Sequence, residues 1–190
     1  LYHKDAVVRV KGFMADFPES PLALQAHWEL ANYHYKRKNY SRASEEFMGI
    51  RIRELAKPKR DELRFKLGHC LFEREAFEKA RVYLYDVLDV EGEFQAPAQY
   101  YFSHIAYLNG QPQVALDGFE RIADHPAFAE LVPLYIAQLL HATGQFDRLK
   151  EYAPPLLDES SGLDEESVAE VAHLLGDAWY RDGAFETASP

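Results

Sequence analysis

Cysteine is nearly absent from this sequence of 190 residues, since Cys70 is the single example. One thiol cannot form an internal disulfide, and it excludes the paired cysteines of common zinc and redox motifs. No apolar run approaches the roughly 18 residues that a membrane-spanning helix needs. Basic residues are also few, because 21 Lys and Arg face 31 Asp and Glu, for a net charge of −10. That balance argues against general nucleic-acid binding and against adsorption on an anionic membrane.

Recognisable catalytic motifs are missing as well. The chain contains no GxSxG elbow, HExxH helix, phosphate-binding P-loop or dinucleotide fingerprint. We therefore expect no enzyme activity, no cofactor and no resident metal. What the chain does contain is apolar side chains, at 47% of residues, with 14% aromatic. This content predicts a sizeable core rather than disorder.

An internal repeat organises the sequence. An aromatic residue followed three positions later by alanine recurs along the chain, complete in three copies and half kept in two others. The successive pairs are Tyr40/Ala43, Phe77/Ala80, Pro112/Ala115, Phe146/Leu149 and Phe185/Ala188. Nine residues before each pair stands a small residue, in the order Ala31, Gly68, Ser103, Ala137 and Gly176. Self-similarity at a fixed period of this length is typical of helical repeat proteins.

Each repeat is interpreted as two antiparallel helices, A then B, joined by a tight turn. The small residue of A and the alanine of B would let two backbones approach closely, and neighbouring hairpins must stack to bury both faces. The predicted A helices span about 21–37, 58–74, 94–109, 128–143 and 165–182. The predicted B helices span about 2–17, 40–55, 77–90, 112–124 and 146–153, with a stub from 185.

These residues resemble the tetratricopeptide repeat family, whose unit carries Leu-Gly or Leu-Ala in helix A, then an aromatic residue and alanine in helix B. The matching segments are Leu30-Ala31…Tyr40…Ala43, Leu67-Gly68…Phe77…Ala80 and Leu175-Gly176…Phe185…Ala188. The resemblance implies a right-handed all-α solenoid of ten or eleven helices in a single domain over 1–190. Its repeats would cover about 24–57, 61–94, 96–129 and 130–163, with partial copies at 1–20 and 169–190, as expected for a piece of a longer protein.

Two details qualify the resemblance. The family's early tryptophan position is taken here by other residues, namely His27, Arg64, Gln99, Pro133 and Ala172. The segment from Phe17 to Ala23 is similar to the inter-repeat joint of Gram-negative envelope proteins of this family. That similarity favours a bacterial protein in the periplasm or at the outer membrane, with the cytoplasm as the alternative.

The A helices of such a solenoid line its concave face, where two sets of residues recur at helical spacing. One residue after each small residue lies what we call the polar column: Asn32, His69, His104, Gln138 and Asp177. Three residues further lies the aromatic column: Tyr35, Phe72, Tyr107, His141 and Tyr180. Flanking residues on the same face are Trp28, Lys36, Phe65, Glu73, Tyr100, Leu134, His173 and Arg181.

This face has two interpretations. Amides and imidazoles could bind the backbone of an extended peptide while the rings supply rigid apolar area, which predicts a peptide-binding groove. Alternatively, the polar and aromatic residues satisfy one another and the groove is idle. A carboxylate clamp fits poorly, because Trp28 stands where the clamp's lysine would lie. His69 and His104 could barely share a metal and lack an obvious third ligand.

We therefore expect a non-enzymatic scaffold that binds a protein or peptide segment along its concave face and helps to assemble a multiprotein complex. The alternative is a structural spacer or self-assembly module that associates through its truncated end faces. We expect no nucleic-acid partner and no direct membrane insertion. The one basic cluster, Arg51-Ile52-Arg53 with Lys57-Pro58-Lys59-Arg60, is interpreted as an exposed turn, or alternatively as a small contact for an acidic partner.

Overall fold

The computed structural model describes residues 4–158 and 161–181, and its regular structure in these ranges is entirely helical. Ten α-helices occur there: α1 Lys4–Asp16, α2 Pro21–Lys36, α3 Tyr40–Met48, α4 Lys57–Phe72, α5 Phe77–Tyr85, α6 Gln95–Leu108, α7 Pro112–Glu120, α8 Val132–Ala142, α9 Phe146–Tyr152 and α10 Glu165–Arg181. Short 3-10 turns lie at Ile52–Glu54, Pro126–Phe128 and Pro154–Leu157. The predicted stub from 185 lies outside the described residues.

The chain divides into two compact units, which we describe separately. The first unit comprises residues 1–101 and the second unit residues 102–190, so the boundary falls within α6. In the first unit α2 packs against α3, and α4 packs against both α3 and α5. In the second unit α8 packs against α7 and α9, and α10 packs against α8 and α9. The contacts of α2 with α3, α4 with α5 and α8 with α9 are those of the predicted A–B hairpins, and the others stack successive hairpins.

Helix ends follow local chemistry. Ser20 caps α2 by accepting a hydrogen bond from the Leu22 amide at 3.2 Å, with Pro21 as the first helical residue. After α6 and α8, Gly110 and Gly144 adopt the left-handed conformation that ends a helix, with φ of 65° and 70°. None of the described helices combines the length and the apolar character that crossing a bilayer requires.

Small residues of the repeat lie at the helix contacts, as predicted. Ala31, Ala43, Ala80, Ala115 and Ala137 are fully buried. A methyl group added to Gly68 would lie 2.8 Å from Leu84 Cγ and 3.4 Å from the Ala80 carbonyl oxygen. Such distances leave no room for a side chain, so glycine at this position sets how closely α4 and α5 approach each other.

The B helices are shorter than predicted. α3 ends at Met48 instead of 55, α5 at Tyr85 instead of 90, and α7 at Glu120 instead of 124. The apolar period nevertheless continues past each end, since three further apolar residues are buried: Ile50, Val87 and Ile122. The backbone amide of each donates a hydrogen bond to the carbonyl three residues earlier, a pattern that forms a tight turn rather than an α-helix. Hydrophobic periodicity alone could not distinguish the two. The helix predicted from 128 likewise begins at Val132, after the 3-10 turn at Pro126–Phe128.

Candidate functional site

In the first unit, the aromatic column and the polar column meet at one hydrogen bond. The Tyr35 hydroxyl on α2 lies 2.6 Å from His69 Nδ1 on α4. The other ring nitrogen of His69, Nε2, lies 3.3 Å from a carboxylate oxygen of Glu73, the residue that follows α4. These contacts form a chain from hydroxyl to imidazole to carboxylate, and they join two successive A helices.

Aromatic rings surround His69. Its imidazole lies 4.6 Å from the Tyr101 ring, 5.3 Å from Tyr40 and 6.0 Å from Phe65, measured between ring centroids. Phe65, which the sequence placed on the binding face, is 8% exposed and therefore belongs to the core. Tyr40 and Tyr101 are additions to the site predicted from the sequence. The repeat pattern indicates only a packing role in helix B for Tyr40, and helical spacing places Tyr100 on the face rather than its neighbour Tyr101.

Burial decides the protonation of this cluster. It lowers the pKa of His69, although the nearby Glu73 carboxylate acts in the opposite direction. Burial also raises the pKa of Tyr35 and brings that of Tyr101 to about 12. At neutral pH Tyr35 is therefore a protonated hydroxyl that donates to a neutral imidazole. These groups stabilise the contact between α2 and α4, and a phenol of raised pKa is a poor acid or nucleophile.

Beside this cluster, polar side chains on the same face of the first unit are also paired. The Asn32 amide donates to the Trp28 carbonyl at 2.9 Å, and its oxygen accepts from Lys66 Nζ at 2.6 Å. Lys66 in turn lies 2.5 Å from Glu62. The ammonium of Lys59 lies 5.2 Å from the centre of the Trp28 ring, a cation–π contact. The face is therefore held by its own hydrogen bonds and charges.

The second unit repeats the arrangement on α6, α8 and α10. The Tyr107 hydroxyl lies 3.4 Å from Gln138 Oε1, and the Gln138 amide donates to Glu170 at 2.6 Å. His141 Nε2 lies 2.6 Å from Asp177 Oδ2. Arg181 donates to the same carboxylate oxygen at 2.6 Å. The hydrogen bonds from His141 and Arg181 hold the pKa of Asp177 below its usual range.

One relation describes three of the bonds between successive A helices. In Tyr35–His69, Tyr107–Gln138 and His141–Asp177, a residue of the aromatic column bonds the polar-column residue of the next repeat. In these three pairs the polar and aromatic side chains satisfy one another, as the alternative interpretation of this face predicts. The individual partners were not foreseen, because single-sequence spacing gives the face of a helix but not the reach of each side chain.

The remaining predicted residues differ in exposure. Half-buried are Trp28, Asn32, Tyr35, His69, Phe72, Tyr100, His104, Leu134, Gln138, His141 and Asp177. Lys36, Glu73, His173 and Arg181 are exposed. Among the aromatic residues of the face, Tyr107 and Tyr180 in the second unit expose 36% and 60% of their surface. These two tyrosines are therefore the aromatic residues of the face that are most accessible to a partner.

Three further features bear on chemistry. Cys70 is fully buried, and burial raises the pKa of its thiol to about 12, so the thiol is protonated at neutral pH. Within the described ranges no three His, Cys, Asp or Glu side chains converge as metal ligands would. The basic cluster is partly neutralised, since Arg51 pairs with Glu19 and with Glu54, the latter at 2.6 Å.

Comparison with known proteins shows the fold. No protein-family model and no curated protein sequence matches the chain. Among solved structures, YrrB, described as a TPR protein with an unusual peptide-binding site, matches with a TM-score of 0.69 and 13% identity, over 94% of this chain and 86% of YrrB. MamA matches with a TM-score of 0.62 and 16% identity, over 87% of this chain and 85% of MamA. A structure from Podosopora anserina, described as a kinesin light chain with nearly identical TPR-like repeats, matches with a TM-score of 0.61 and 20% identity. The match covers 90% of this chain and 92% of that structure.

The chain thus has the tetratricopeptide repeat fold, as its sequence resemblance implied. The matches span nearly all of the chain and of the matched structures, so the predicted all-α hairpin architecture is confirmed. At these identities the likeness establishes the fold and does not transfer a ligand.

Proposed function

We propose that this protein is a non-enzymatic scaffold that binds an extended segment of a partner protein along the face carrying the polar and aromatic columns, in assembly of a multiprotein complex. The observation that carries the proposal is the pair of exposed tyrosines, Tyr107 and Tyr180, beside the hydrogen-bonded row of Gln138, His141 and Asp177. Exposed rings next to fixed polar groups are the usual composition of a protein-binding surface.

Rigidity supports this function. Ordering flexible side chains upon binding costs about 0.5–1.5 kcal/mol for each residue immobilised. Here the bonds between His141 and Asp177 and between Gln138 and Glu170 already fix these groups in the free protein. A partner therefore meets preformed acceptors and loses less entropy in binding. The same fold in YrrB, described as having a peptide-binding site, supports the proposal by analogy.

The first unit contributes mainly stiffness in this proposal. The rings around His69 pack against one another, with Phe65 in the core, and so offer less area to a partner. On its own face the more accessible residues are half-buried Trp28 and Asn32, with exposed Lys36 and Lys59. Binding energy should then depend more on the tyrosines of the second unit than on the ring cluster of the first.

Selection from a random peptide library displayed on phage tests the proposal. The bait is the full chain, and the affinities of selected peptides are measured for the wild type and for the double variant Tyr107→Ala with Tyr180→Ala. Truncating an aromatic anchor typically costs about 2 kcal/mol, so we expect at least about a tenfold loss of affinity. The matched control is Val82→Ala with Tyr85→Ala, which removes two exposed apolar side chains from α5. Equal affinity for the tyrosine variant and the wild type would contradict the proposal.

A structural spacer is the second candidate, because the contacts between columns favour it. If the face serves only to lock successive A helices, its side chains need no partner beyond one another, as in the Tyr35–His69 pair. The spacer function predicts that no peptide dependent on Tyr107 and Tyr180 is selected. It also predicts concentration-dependent self-association of the chain, measured by sedimentation velocity.

A further inference from the structure

The two units carry very different charges. Residues 1–101 contain 17 Lys and Arg against 16 Asp and Glu, a net charge of +1. Residues 102–190 contain 4 Lys and Arg against 15 Asp and Glu, a net charge of −11. The acidic excess of the whole chain therefore comes from the second unit alone. Averaging over the full sequence conceals this difference.

Three of the four cations of the second unit are already committed to partners. Arg148 pairs with Glu120, and Arg181 lies 2.6 Å from Asp177. Lys150 is 3.5 Å from Asp147 and lies over the Trp179 ring at 4.7 Å, with only 9% of its side chain exposed. These cations neutralise carboxylates locally and leave the rest of the acidic surface uncompensated. The unit therefore presents a strongly negative potential to solvent.

Part of this charge lies along the proposed binding face. Glu166, Glu170 and Asp177, which we call the acidic row, follow one another at spacings of four and seven residues on α10 and so share one side of the helix. Asp177 is itself in the polar column and bonds His141, and Glu170 bonds Gln138 of the same column, which places the row on the proposed binding face. Glu166 is exposed, and Asp177 keeps 29% of its side chain accessible.

We propose that the segment bound by the second unit is basic, an extended stretch of a partner protein in which Lys or Arg recurs. This inference rests on the proposed function. Carboxylates of the acidic row would pair with the cations, and the exposed faces of Tyr107 and Tyr180 would receive them as cation–π partners. An acidic segment would be repelled by the surrounding charge. The corresponding face of the first unit carries Lys36, Lys59 and Lys66, so this preference belongs to the second unit.

Spacing along α10 suits an extended chain. Glu166 and Glu170 are separated by about 6 Å along the helix axis, at about 1.5 Å per residue. Alternate residues of an extended peptide are separated by about 6.6 Å and point to the same side. Where the bound segment passes over α10, it could therefore direct two cations, two residues apart, at these two carboxylates.

Calorimetric titration with defined probes tests the charge preference. The probes are a short peptide in which Arg alternates with Ala and its counterpart in which Glu replaces Arg. The test variant is Glu166→Lys with Glu170→Lys. The control variant is Asp117→Lys with Asp124→Lys, which changes the charge of the same unit equally at exposed positions on α7 and in the turn that follows it. Circular dichroism establishes that both variants keep the helical content of the wild type.

We expect the Arg peptide to bind the wild type, to lose at least about tenfold in affinity for the acidic-row variant and to lose much less for the control. The Glu peptide should not bind. Equal losses in both variants would show attraction by net charge alone and would overturn the proposal. Binding of the Glu peptide, or no measurable binding of the Arg peptide to the wild type, would overturn it as well.

The composition of the phage-selected peptides separates this inference from the proposed function. Peptides that depend on Tyr107 and Tyr180 and are rich in Lys and Arg support both. Peptides that depend on the tyrosines but lack basic residues leave the scaffold function intact and show that the charge inference is wrong. If no selected peptide depends on the tyrosines, both fail.

Discussion

The hydroxyl of Tyr35 and Nδ1 of His69 are 2.6 Å apart, although 34 residues separate them in the sequence. The distance in sequence is one repeat, so the bond connects equivalent faces of two successive A helices. Because burial keeps His69 neutral and Tyr35 protonated, the bond needs no charge to form. It makes the face of the first unit a rigid element, and it can be tested by removing a single oxygen atom.

Replacing Tyr35 with phenylalanine should destabilise the protein by about 1–3 kcal/mol, because the largely buried imidazole of His69 loses its donor. The matched control is Tyr33→Phe, since Tyr33 accepts a hydrogen bond from Arg37 at an exposed site. Exposed hydrogen bonds exchange with water at little cost, so the control should lose much less. Urea denaturation monitored by circular dichroism gives both values, and equal losses would show that the Tyr35–His69 bond contributes nothing specific.

Stability should fall as the pH drops below about 6.5. Burial lowers the pKa of three histidines in the folded protein: His34, His69 and His104. Between their folded values and 6.5, the unfolded chain binds more protons than the folded one, so acidification favours unfolding. Above 6.5 this contribution is fully present.

The check is the midpoint of urea denaturation across this pH range. His69→Gln retains a polar group without a titrating imidazole, and it should flatten the dependence on pH relative to the wild type. A wild-type stability that rises on acidification through this range would contradict the assignment of these histidines as buried and neutral.

Gly68 and Gly12 should respond in opposite ways to the same substitution. An added methyl group at Gly68 would lie 2.8 Å from Leu84 Cγ, whereas no atom lies within 4 Å of the corresponding position at Gly12. Gly68→Ala should cost about 1–3 kcal/mol through overpacking. Gly12→Ala should stabilise by about 0.5–1 kcal/mol, because Gly12 lies within α1 and alanine has the higher helix propensity. Thermal denaturation of the two variants decides the matter, and destabilisation by both would refute this packing argument.

Much of the fold was predictable because it depends on short-range rules. Small residues recur where helices touch, and Gly110 and Gly144 follow the helices that they end. In the first unit, however, the same left-handed conformation is adopted by Lys38 and Glu75, with φ of 56° and 57°, and composition gives no warning of it. Turn residues therefore marked the end of a helix reliably only where glycine was present.

The face was harder to predict, because its outcome depends on side chains from different repeats. The family's tryptophan position is occupied by His27, which here lies 2.9 Å from Glu46, a buried carboxylate that also pairs with Lys11 at 2.7 Å. An ion-pair cluster thus contributes to packing where the family uses a ring. Neither this exchange nor the choice of Tyr101 over Tyr100 beside His69 follows from the spacing of one sequence.

Asp177→Asn should separate the geometry of the binding face from its charge. Asparagine has nearly the same shape and can still accept a hydrogen bond from Arg181, but it removes one negative charge from the acidic row. The lowered pKa of Asp177 shows that its two donors favour the charged form, so the wild-type carboxylate is ionised throughout the physiological range. If partner binding uses this charge, the variant should bind the Arg peptide with several-fold lower affinity, while the contribution of the tyrosines to affinity remains. Titration calorimetry on Asp177→Asn, alone and combined with Tyr107→Ala, measures the contribution of the Asp177 charge and that of the Tyr107 ring to affinity. Unchanged affinity in Asp177→Asn would show that Asp177 serves only to hold His141 and Arg181, and that the basic segment is bound by the other carboxylates.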